Sequence, residues 1–480
     1  MRLTPAQRDR ALGAVIGTPA GDALGAGYEF GSATVGPDGP AMIGGGLGGF
    51  APGEWTDDTT MAWCILDIAA TGADLRTPEA LTGIATHFTQ WYASHPPDIG
   101  NQTRAILASV ATDPTGAAMT SATRALHERT GRTAGNGSLM RTAPVALPYL
   151  DDPDALVEAA RVVGALTHYD SRAQEACMLW SLAIRHAILH AELDVRSALV
   201  YLDDTAAAYW TDRLDEAENS RSSEFSPNGW AVTALQAAWS AIVHTPVPGT
   251  DPECAHLTAS LDSAIAIGPD TDTVAALAGA LLGARYGASA TPAHWRRILH
   301  GYPGIPGERL IELAELTVGG GQPGAHGWPR AARIDYTSWQ SRPTLAPHPH
   351  DDGVWLADAS ALDNLPEEID AVVSLCLLGT EQVPNHVEHI RYRLIDEPDP
   401  DVNPNLDFIL TDAATTIAAL RDEGKTVLLH CVAAQSRTPA VAVAYAMRLG
   451  IPYDKANREV VNALPAASVN AGFRAALQRL

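Results

Sequence analysis

Two short clusters of acidic and hydroxyl side chains stand directly before apolar stretches of the sequence. Thr56, Asp57 and Asp58 precede residues 61–68, and residues 270–273 precede residues 274–286. Such side chains commonly cap helices, because their oxygens accept hydrogen bonds from the free N–H groups of the first turn. Capping needs only one oxygen, whereas adjacent carboxylates and hydroxyls are the hard ligands that Mg²⁺ and Mn²⁺ prefer. Two such clusters in one chain favour a metal centre.

A second kind of chemistry is indicated near the C-terminus. Residues 430–438 join an apolar stretch, residues 426–429, to a helix that we predict to open at Pro439. A loop between strand and helix directs successive N–H groups at one centre, which binds phosphate and favours the thiolate form of a cysteine. Cys431 is the candidate nucleophile, and Arg437 can bind two phosphate oxygens through its planar guanidinium group.

The amino-acid composition limits the kinds of molecule that the protein is expected to bind. The 480 residues contain 32 Lys and Arg against 56 Asp and Glu, a net charge of −24. This balance argues against direct binding to nucleic acids or to anionic membranes, which use clusters of basic residues. Five cysteines without a CxxC pair predict neither a disulfide framework nor a zinc site. The polar N-terminus and the short apolar runs predict a cytoplasmic protein without a transmembrane segment.

The secondary structure predicted from apolar spacing changes from helices to alternating strands and helices along the chain. Helical apolar spacing dominates up to residue 316, for example in residues 172–191 and 229–242. After a glycine-rich stretch and a Pro/His-rich stretch, short apolar runs predict strands at residues 354–357, 371–375, 390–394 and 426–429, with helices at 406–421 and 439–449. We therefore predict a multidomain protein with an all-α domain over 1–320, a linker over 321–345 and a smaller α/β domain with a largely parallel sheet over 346–480.

Further motifs of the helical part occur together with the two acidic clusters. They are Gly-Asp-Ala-Leu-Gly at 21–25 with Glu29, Asp-Ile-Gly-Asn-Gln-Thr at 98–103, Gly-Asn-Gly-Ser-Leu-Met-Arg at 135–141, Leu-Thr-His at 166–168, and small residues along 275–283. In this order, over residues 5–315, they resemble the ADP-ribosylglycohydrolase family. The resemblance implies an all-helical fold with two Mg²⁺ or Mn²⁺ ions that cleaves the glycosidic bond between ADP-ribose and an acceptor.

The resemblance also implies residue roles. His168 would contact ADP-ribose, and a backbone turn around the ligand would be formed by Gly135, Asn136, Gly137 and Ser138. The metal ligands would be Thr56, Asp57, Asp58, Asp270, Asp272 and Thr273. A metal pair that holds the ribose hydroxyls suits an oxocarbenium-like transition state, while a carboxylate activates water. Glu29 and Asp98 are the two candidates for that carboxylate, and the sequence does not choose between them.

The C-terminal motif resembles the dual-specificity and tyrosine phosphatases over about residues 345–460. The resemblance rests on His430 before Cys431, Ser-Arg-Thr at 436–438, the preceding strand and the following helix. It implies that Cys431 forms a phospho-cysteine, that Arg437 stabilises the transition state and that Thr438 assists departure of the thiolate.

The general acid implied by this second resemblance lies upstream. Asp396 is the first choice, because it directly follows a predicted strand, and Asp399 and Asp401 are alternatives. The family usually has glycine where this chain has Ala434, a position that commonly needs a positive φ.

Taken together, the motifs predict a two-headed hydrolase that acts on ADP-ribosylated and on phosphorylated substrates. One alternative is that the C-terminal domain only binds phosphate or docks a partner. Another is that the helical domain reads ADP-ribose without cleaving it, which would require a broken metal site. The acceptor, whether arginine, serine, nucleic acid or phosphate, is left open.

Overall fold

The computed structural model describes residues 2–250, 252–339 and 343–480, and the chain divides into two compact units. The first unit contains Met1–Thr291 and Ile298–Gln322, and the second contains Pro292–Arg297 and Pro323–Leu480. The helices are α1 (Pro5–Gly25), α2 (Asp57–Ala69), α3 (Pro78–Ala93), α4 (Asn101–Ser109), α5 (Gly116–Thr130), α6 (Pro153–Gly164), α7 (Ser171–His190), α8 (Asp204–Asn219), α9 (Ala231–His244), α10 (Ala255–Ile267), α11 (Thr271–Tyr286), α12 (Ala293–Arg296), α13 (Gly307–Val318), α14 (Leu406–Asp422), α15 (Arg437–Arg448), α16 (Tyr453–Ala463) and α17 (Ala471–Arg479).

The helical unit is organised around α1 and α11, which are in backbone contact. Glycines spaced four residues apart on α1 lie against small residues of α11, and a Cβ at Gly17 would stand 2.0 Å from the carbonyl oxygen of Gly279. Gly13 faces Gly283 and Gly21 faces Ala275 in the same way, so the two helices are antiparallel. The end of α1 is therefore held against the start of α11. Apart from its helices, this unit contains a small antiparallel hairpin of β1 (His300–Gly301) and β2 (Ile305–Pro306).

The second unit is built on a five-stranded sheet. Its strands are β3 (Leu345–His348), β4 (Asp351–Asp358), β5 (Ala371–Ser374), β6 (Glu388–Arg391) and β7 (Val427–Cys431), in the spatial order β3-β4-β7-β5-β6. All neighbours pair in parallel except β3 and β4, which are antiparallel. Strand β7 is central and fully buried, as expected for a parallel strand covered on both faces. Its C-terminal end is therefore a fixed platform for the loop that follows.

Residues 292–297, which interrupt the first unit in sequence, pack in the second. Ala293 is fully buried in the core of the second unit, and its N–H donates to the carboxylate of Asp412 at 3.1 Å. Arg297 donates to Glu388 at 2.7 Å and to Glu423 at 3.0 Å. We call residues 292–297 the strap. The strap holds the N-terminal end of β6.

The elements predicted from apolar spacing are present in the structure, most of them within three residues of the predicted bounds. The predicted helix at 439–449 begins earlier, at Arg437, because the turn from the loop into α15 already has helical geometry. Strand β3 was not predicted, since its Leu-Ala-Pro-His sequence lies within a Pro/His-rich stretch. Of the predicted linker, residues 323–339 belong to the second unit, where Ile334 and Tyr336 are buried, and residues 340–342 lie outside the described residues. Over the described ranges, every helix is too short or too polar to span a membrane.

Candidate active sites

The two predicted acidic clusters come together at the starts of α2 and α11. Thr56 caps α2, and its hydroxyl lies 3.3 Å from Oδ2 of Asp58 and 3.4 Å from Oδ2 of Asp272. Oδ1 of Asp272 accepts a hydrogen bond of 2.9 Å from the N–H of Thr273. Residues more than two hundred positions apart in the sequence thus share one buried centre, because α1 carries its C-terminal end to both helix starts.

A third carboxylate joins the centre from the segment that follows α1. Carboxylate oxygens of Glu29, Asp270 and Asp272 all lie within 4.8 Å of one another. The chain leaves helical geometry at Glu29, with ψ of 133°, and this break directs the side chain inward. Among the described residues, Oε2 of Glu29 and Oδ1 of Asp58 are buried and have no hydrogen-bond partner. Buried carboxylate oxygens without protein donors suit a cation, because hard oxygen ligands are what Mg²⁺ and Mn²⁺ require.

The carboxyl groups of this centre have raised pKa values, because they are buried close to one another. Burial, and after it the charge of Asp98, raises the pKa of Glu29 to about 8. The same two causes raise the pKa of Asp57 to about 7. Burial, followed by neighbouring carboxylates, raises the pKa of Asp58 and of Asp272 well above the ordinary range. A cation among these groups would favour their charged forms.

The two candidate water-activating acids differ in exposure. Glu29 is 6% exposed and lies among the clustered carboxylates. Asp98 precedes α4 and lines a cavity of about 300 Å³ together with Glu54, Asp57 and Trp91. Because the charge of Asp98 is the largest charge effect on both Glu29 and Asp57, all three carboxylates belong to one centre. Asp98 is the one of the two that faces the open cavity.

Two residues to which the sequence analysis gave no role hold this centre in place. Asp22 on α1 is fully buried and accepts hydrogen bonds from the N–H groups of Thr56 and Thr59 and from the Thr59 hydroxyl. It therefore acts as a second cap of α2 from a different helix. Oδ1 of Asn228 accepts from the N–H of Asp270 at 3.1 Å. Asp22 lies within a quoted motif, whereas Asn228 sits in an ordinary Ser-Pro-Asn-Gly turn without a distinguishing signal.

The predicted glycine turn lies between the metal-ligand candidates and His168. The side-chain amide of Asn136 donates to Oδ2 of Asp270 at 2.8 Å, so this residue fixes an acidic side chain. A Cβ at Gly137 would stand 3.1 Å from the His168 ring, so glycine lets the turn approach this ring closely. The remaining member of the turn, Ser138, is buried, and its hydroxyl lies 3.5 Å from the Cys177 sulfur.

The tautomer of His168 follows from its neighbours. Arg141 donates to the Thr167 hydroxyl at 2.7 Å, and that hydroxyl lies 2.8 Å from Nδ1 of His168. Arginine only donates, so the Thr167 oxygen accepts from Arg141, and we assign the hydroxyl hydrogen to Nδ1, which lies within hydrogen-bonding distance. Burial, with the charge of Arg141, lowers the pKa of His168 to about 3, so the ring is neutral. Its proton is therefore on Nε2, the atom beside Gly135 and Gly137.

The second site lies at the C-terminal end of β7. Cys431 is its last residue, and the loop 432–436 leads into α15, which begins at Arg437. Ala434 within this loop has φ of 51°, the left-handed conformation in which an alanine costs about 1–2 kcal/mol relative to right-handed geometry. The loop thus adopts the turn for which glycine is usual. Cys431 is buried, and so is the neighbouring Cys376, where burial raises the pKa of the thiol to about 12.

Arg437 is fixed on one side and available on the other. Its Nη1 donates to the carbonyl oxygens of Leu375 at 2.9 Å and Leu394 at 3.0 Å. Its Nε is buried, has no hydrogen-bond partner among the described residues and lies 3.7 Å from Oδ2 of Asp396. Asn470 donates to the other oxygen of Asp396 at 2.9 Å. The loop therefore presents a held guanidinium group with an unused donor.

The remaining predicted residues of this site are placed differently. The Thr438 hydroxyl is buried and lies 3.4 Å from the carbonyl oxygen of Ala357 on β4. Of the two alternatives to Asp396, Asp399 caps a short turn, where its carboxylate accepts a hydrogen bond from the backbone N–H of Asp401. Of the three acids, Asp396 is the one brought to Arg437.

The acidic centre and the Cys431 loop indicate the class of protein, a helical hydrolase followed along the chain by a phosphatase-like domain. The sequence model of the family named ADP-ribosylglycohydrolase matches residues 3–325, and the chain belongs to this family. ADP-ribosylarginine hydrolase Tri1 of Pseudomonas putida (strain GB-1) is 30% identical over 314 residues, which is 61% of this chain and 75% of the relative. ADP-ribosyl-[dinitrogen reductase] glycohydrolase of Rhodospirillum rubrum is 29% identical over 61% of this chain and 90% of the relative.

The C-terminal part has a relative of its own. Dual specificity phosphatase 28 of Mus musculus is 34% identical over 116 residues, which is 23% of this chain and 69% of the relative. The predicted fusion of an ADP-ribosylglycohydrolase with a phosphatase-like domain is therefore confirmed.

Proposed function

We propose that the helical unit is a metal-dependent hydrolase that cleaves the glycosidic bond between ADP-ribose and an acceptor, with two Mg²⁺ or Mn²⁺ ions. The observation that carries this proposal is the convergence of clustered carboxylates in which buried oxygens of Glu29 and Asp58 lack a protein donor. The ions would be held by Thr56, Asp57, Asp58, Asp270, Asp272 and Thr273, with Glu29 beside them. Bound there, they would hold the ribose hydroxyls and so orient the ring for the oxocarbenium-like transition state.

The chain's own residues carry out the remaining steps. Asp98 faces the cavity, so it takes the proton of the attacking water, while the more buried Glu29 stays with the ligand cluster. Neutral His168 donates through Nε2 to the bound ADP-ribose beside the glycine turn. Asn136 holds Asp270 in orientation.

We propose an arginine side chain as the acceptor. The cavity beside the centre has carboxylates from Glu54, Asp57 and Asp98 and aromatic walls from Trp91 and Tyr302. Acidic groups bind a guanidinium ion, and its flat face stacks on aromatic rings. A phosphate-linked acceptor would be repelled by the same carboxylates. The similarity to the relative named ADP-ribosylarginine hydrolase supports this choice.

The test is release of free ADP-ribose from a panel of arginine-, serine- and phosphate-linked ADP-ribosyl substrates, with Mg²⁺ and with EDTA. Metal-dependent release from the arginine linkage alone supports the proposal. Release from another linkage overturns the acceptor assignment. Binding of ADP-ribose without release from any linkage would favour a reader of ADP-ribose. The Asp98→Asn variant should lose turnover but keep ADP-ribose binding, whereas retained turnover would reassign the water-activating role to Glu29.

For the second unit we propose a cysteine-dependent phosphatase. Cys431 attacks the phosphorus, the phosphoryl group passes to sulfur, and Asp396 gives its proton to the leaving oxygen. Nε of Arg437, buried without a partner among the described residues, supports this proposal because it is a donor held ready for a phosphate oxygen. Thr438 would assist departure of the thiolate when water attacks the phospho-cysteine.

Hydrolysis of a generic aryl phosphate tests this second activity. Cys431→Ser should abolish phosphate release while the protein still binds vanadate weakly. An unchanged rate in Cys431→Ser would show that the basal signal has another source and would favour the alternative of a phosphate-binding or docking module. The proposed substrates are thus an ADP-ribosylated molecule and a phosphorylated one.

A further inference from the structure

A chain of hydrogen-bonded polar side chains crosses the sheet from the edge strand β6, where its members are half-buried, to the end of β7, where they are fully buried. Nε of Arg391 donates to Nδ1 of His389 at 3.1 Å, and Nε2 of His389 lies 2.8 Å from the Ser374 hydroxyl. The same hydroxyl lies 2.7 Å from Nε2 of His430, and Nδ1 of His430 lies 3.3 Å from the carbonyl oxygen of Cys431. The strand register makes this possible, because Ser374 on β5 is aligned with Arg391 on one side and with His430 on the other.

The directions of the hydrogen bonds in this chain are fixed by its two ends. The arginine Nε can only donate, so Nδ1 of His389 accepts and the proton of His389 is on Nε2. At the other end the Cys431 carbonyl oxygen can only accept, so the proton of His430 is on Nδ1 and its Nε2 accepts from the Ser374 hydroxyl, which in turn accepts from Nε2 of His389. That proton points at the carbonyl oxygen of Cys431.

Both rings in the chain are neutral. Burial, and then the charge of Arg437, opposes protonation of His430 and lowers its pKa to about 4, although the hydrogen bond to Cys431 acts in the other direction. Burial, followed by the charges of Arg391 and of His430, lowers the pKa of His389 well below its ordinary value. A doubly protonated His430 would also leave the Ser374 hydrogen without an acceptor.

We propose that His389 and Arg391 are positioning residues for the nucleophile, acting through Ser374 and His430 to hold the Cys431 peptide in the orientation that opens the phosphate loop. The proposal rests on the proposed phosphatase chemistry of Cys431. If the chain lost its fixed direction, His389 could turn its proton to Nδ1 and His430 to Nε2. An unprotonated nitrogen would then face the Cys431 carbonyl, and the loop would lose its anchor at the first residue.

The test uses the full chain and the rate at which iodoacetamide alkylates Cys431 across pH, followed by mass spectrometry of the peptide that contains it. This readout needs no turnover, so it separates failure of the inference from failure of the proposed phosphatase. His389→Leu should slow alkylation near neutral pH by about tenfold, the size expected for one lost buried hydrogen bond, and move the profile to higher pH. If aryl phosphate is hydrolysed, kcat should fall with little change in KM.

Further variants make the result specific. His389→Gln should restore the wild-type profile, because the Gln oxygen accepts from Arg391 and its amide donates to Ser374. Ser374→Ala should match His389→Leu, and the double variant should be no worse than either single one, as expected for members of one chain. Arg391→Leu should also match His389→Leu, and Arg393→Leu is its matched charge control, since Arg393 lies two residues from Arg391 and stacks over Trp328 at 4.8 Å.

The proposal is overturned if His389→Leu alkylates like the wild type, if the effects of Ser374→Ala and His389→Leu add, or if Arg393→Leu gives the same shift. Circular dichroism spectra of all variants check that the fold is retained, and His389→Gln keeps the test decisive if His389→Leu fails to fold. Altered alkylation profiles together with no hydrolysis by any variant would support the inference and refute the phosphatase.

Discussion

Raising the pH should destabilise the helical unit when metal is removed. Glu29 has a folded-state pKa of about 8 against an ordinary value of 4.5, so between these values the folded protein binds more protons than the unfolded chain. The stability that comes from neutral Glu29 is complete below about pH 4.5 and is lost as the pH rises through about 8. One pKa unit corresponds to about 1.4 kcal/mol, so this residue alone accounts for at most about 5 kcal/mol.

The assay is thermal unfolding in EDTA from about pH 5 to about pH 9, repeated with Mg²⁺ in excess. For a unit of this size the loss corresponds to a fall in Tm of roughly 10 °C, and Mg²⁺ should remove most of it because the cation favours the charged carboxylates. Glu29→Gln should flatten the profile in EDTA, since the variant lacks the ionisable group with the perturbed pKa.

Asp262 supplies the control for this experiment. Burial alone raises its pKa to about 6, and it is not a member of the carboxylate cluster. Asp262→Asn should remove a smaller pH dependence that Mg²⁺ does not restore. A Tm in EDTA that is constant or rises with pH, or a Mg²⁺ effect equal at both ends of the range, would refute the reasoning that crowded carboxylates dominate this site.

Three other substitutions test the geometry. Gly17→Ala should lower the free energy of unfolding by about 3 kcal/mol and weaken Mg²⁺ binding, because the new methyl group would stand 2.0 Å from a backbone oxygen. The control in denaturant unfolding is Gly229→Ala, whose methyl group would meet no atom within 4 Å. Ala434→Val should weaken vanadate binding and lower the free energy of unfolding by about 1–2 kcal/mol, since a branched side chain disfavours φ of 51°. Ala434→Gly should change the binding and the stability little, and equal effects of the two variants in a vanadate titration would contradict this reasoning. Arg297→Gln should lower the unfolding free energy of the second unit by about 1–3 kcal/mol in urea, because a side chain only 15% exposed loses two carboxylate partners, and an unchanged midpoint would show that the strap contributes nothing.

Much of the fold could be predicted because it is encoded locally. Apolar spacing predicted α7 and α11 within a few residues, and the short branched runs predicted β5 and β7. The candidate site residues of both units were recognised from motifs, and within the helical unit the structure brings the acidic ones to one centre. Their individual roles stay predictions until variants are measured.

What could not be predicted depends on pairings across long sequence distances. In the sequence Asp22 is an ordinary helix residue, and its hydrogen bond from the Thr56 N–H forms only because α1 packs beside the start of α2. Nothing in the Ala293–Arg297 sequence indicates that these residues leave the helical unit and join the other core. His389 and Arg391 alternate along an edge strand, and only the strand order β7-β5-β6 aligns them with Ser374.

The two sites both lie at helix N-termini, but the charged side chains beside those N-termini have opposite signs. Each places its reactive groups at helix N-termini, where free N–H groups and the helix dipole favour anions. At α2 and α11 that preference is already met by fixed carboxylates of the chain, so the group that the proposed site would take from outside is a cation. At α15 the carboxylate that pairs with the Arg437 guanidinium group among the described residues is Asp396, at 3.7 Å, so the group that the proposed phosphatase would take from outside is an anion. In that proposal an arriving phosphate would compete with Asp396 for Nε of Arg437, which would release the Asp396 side chain toward the leaving oxygen.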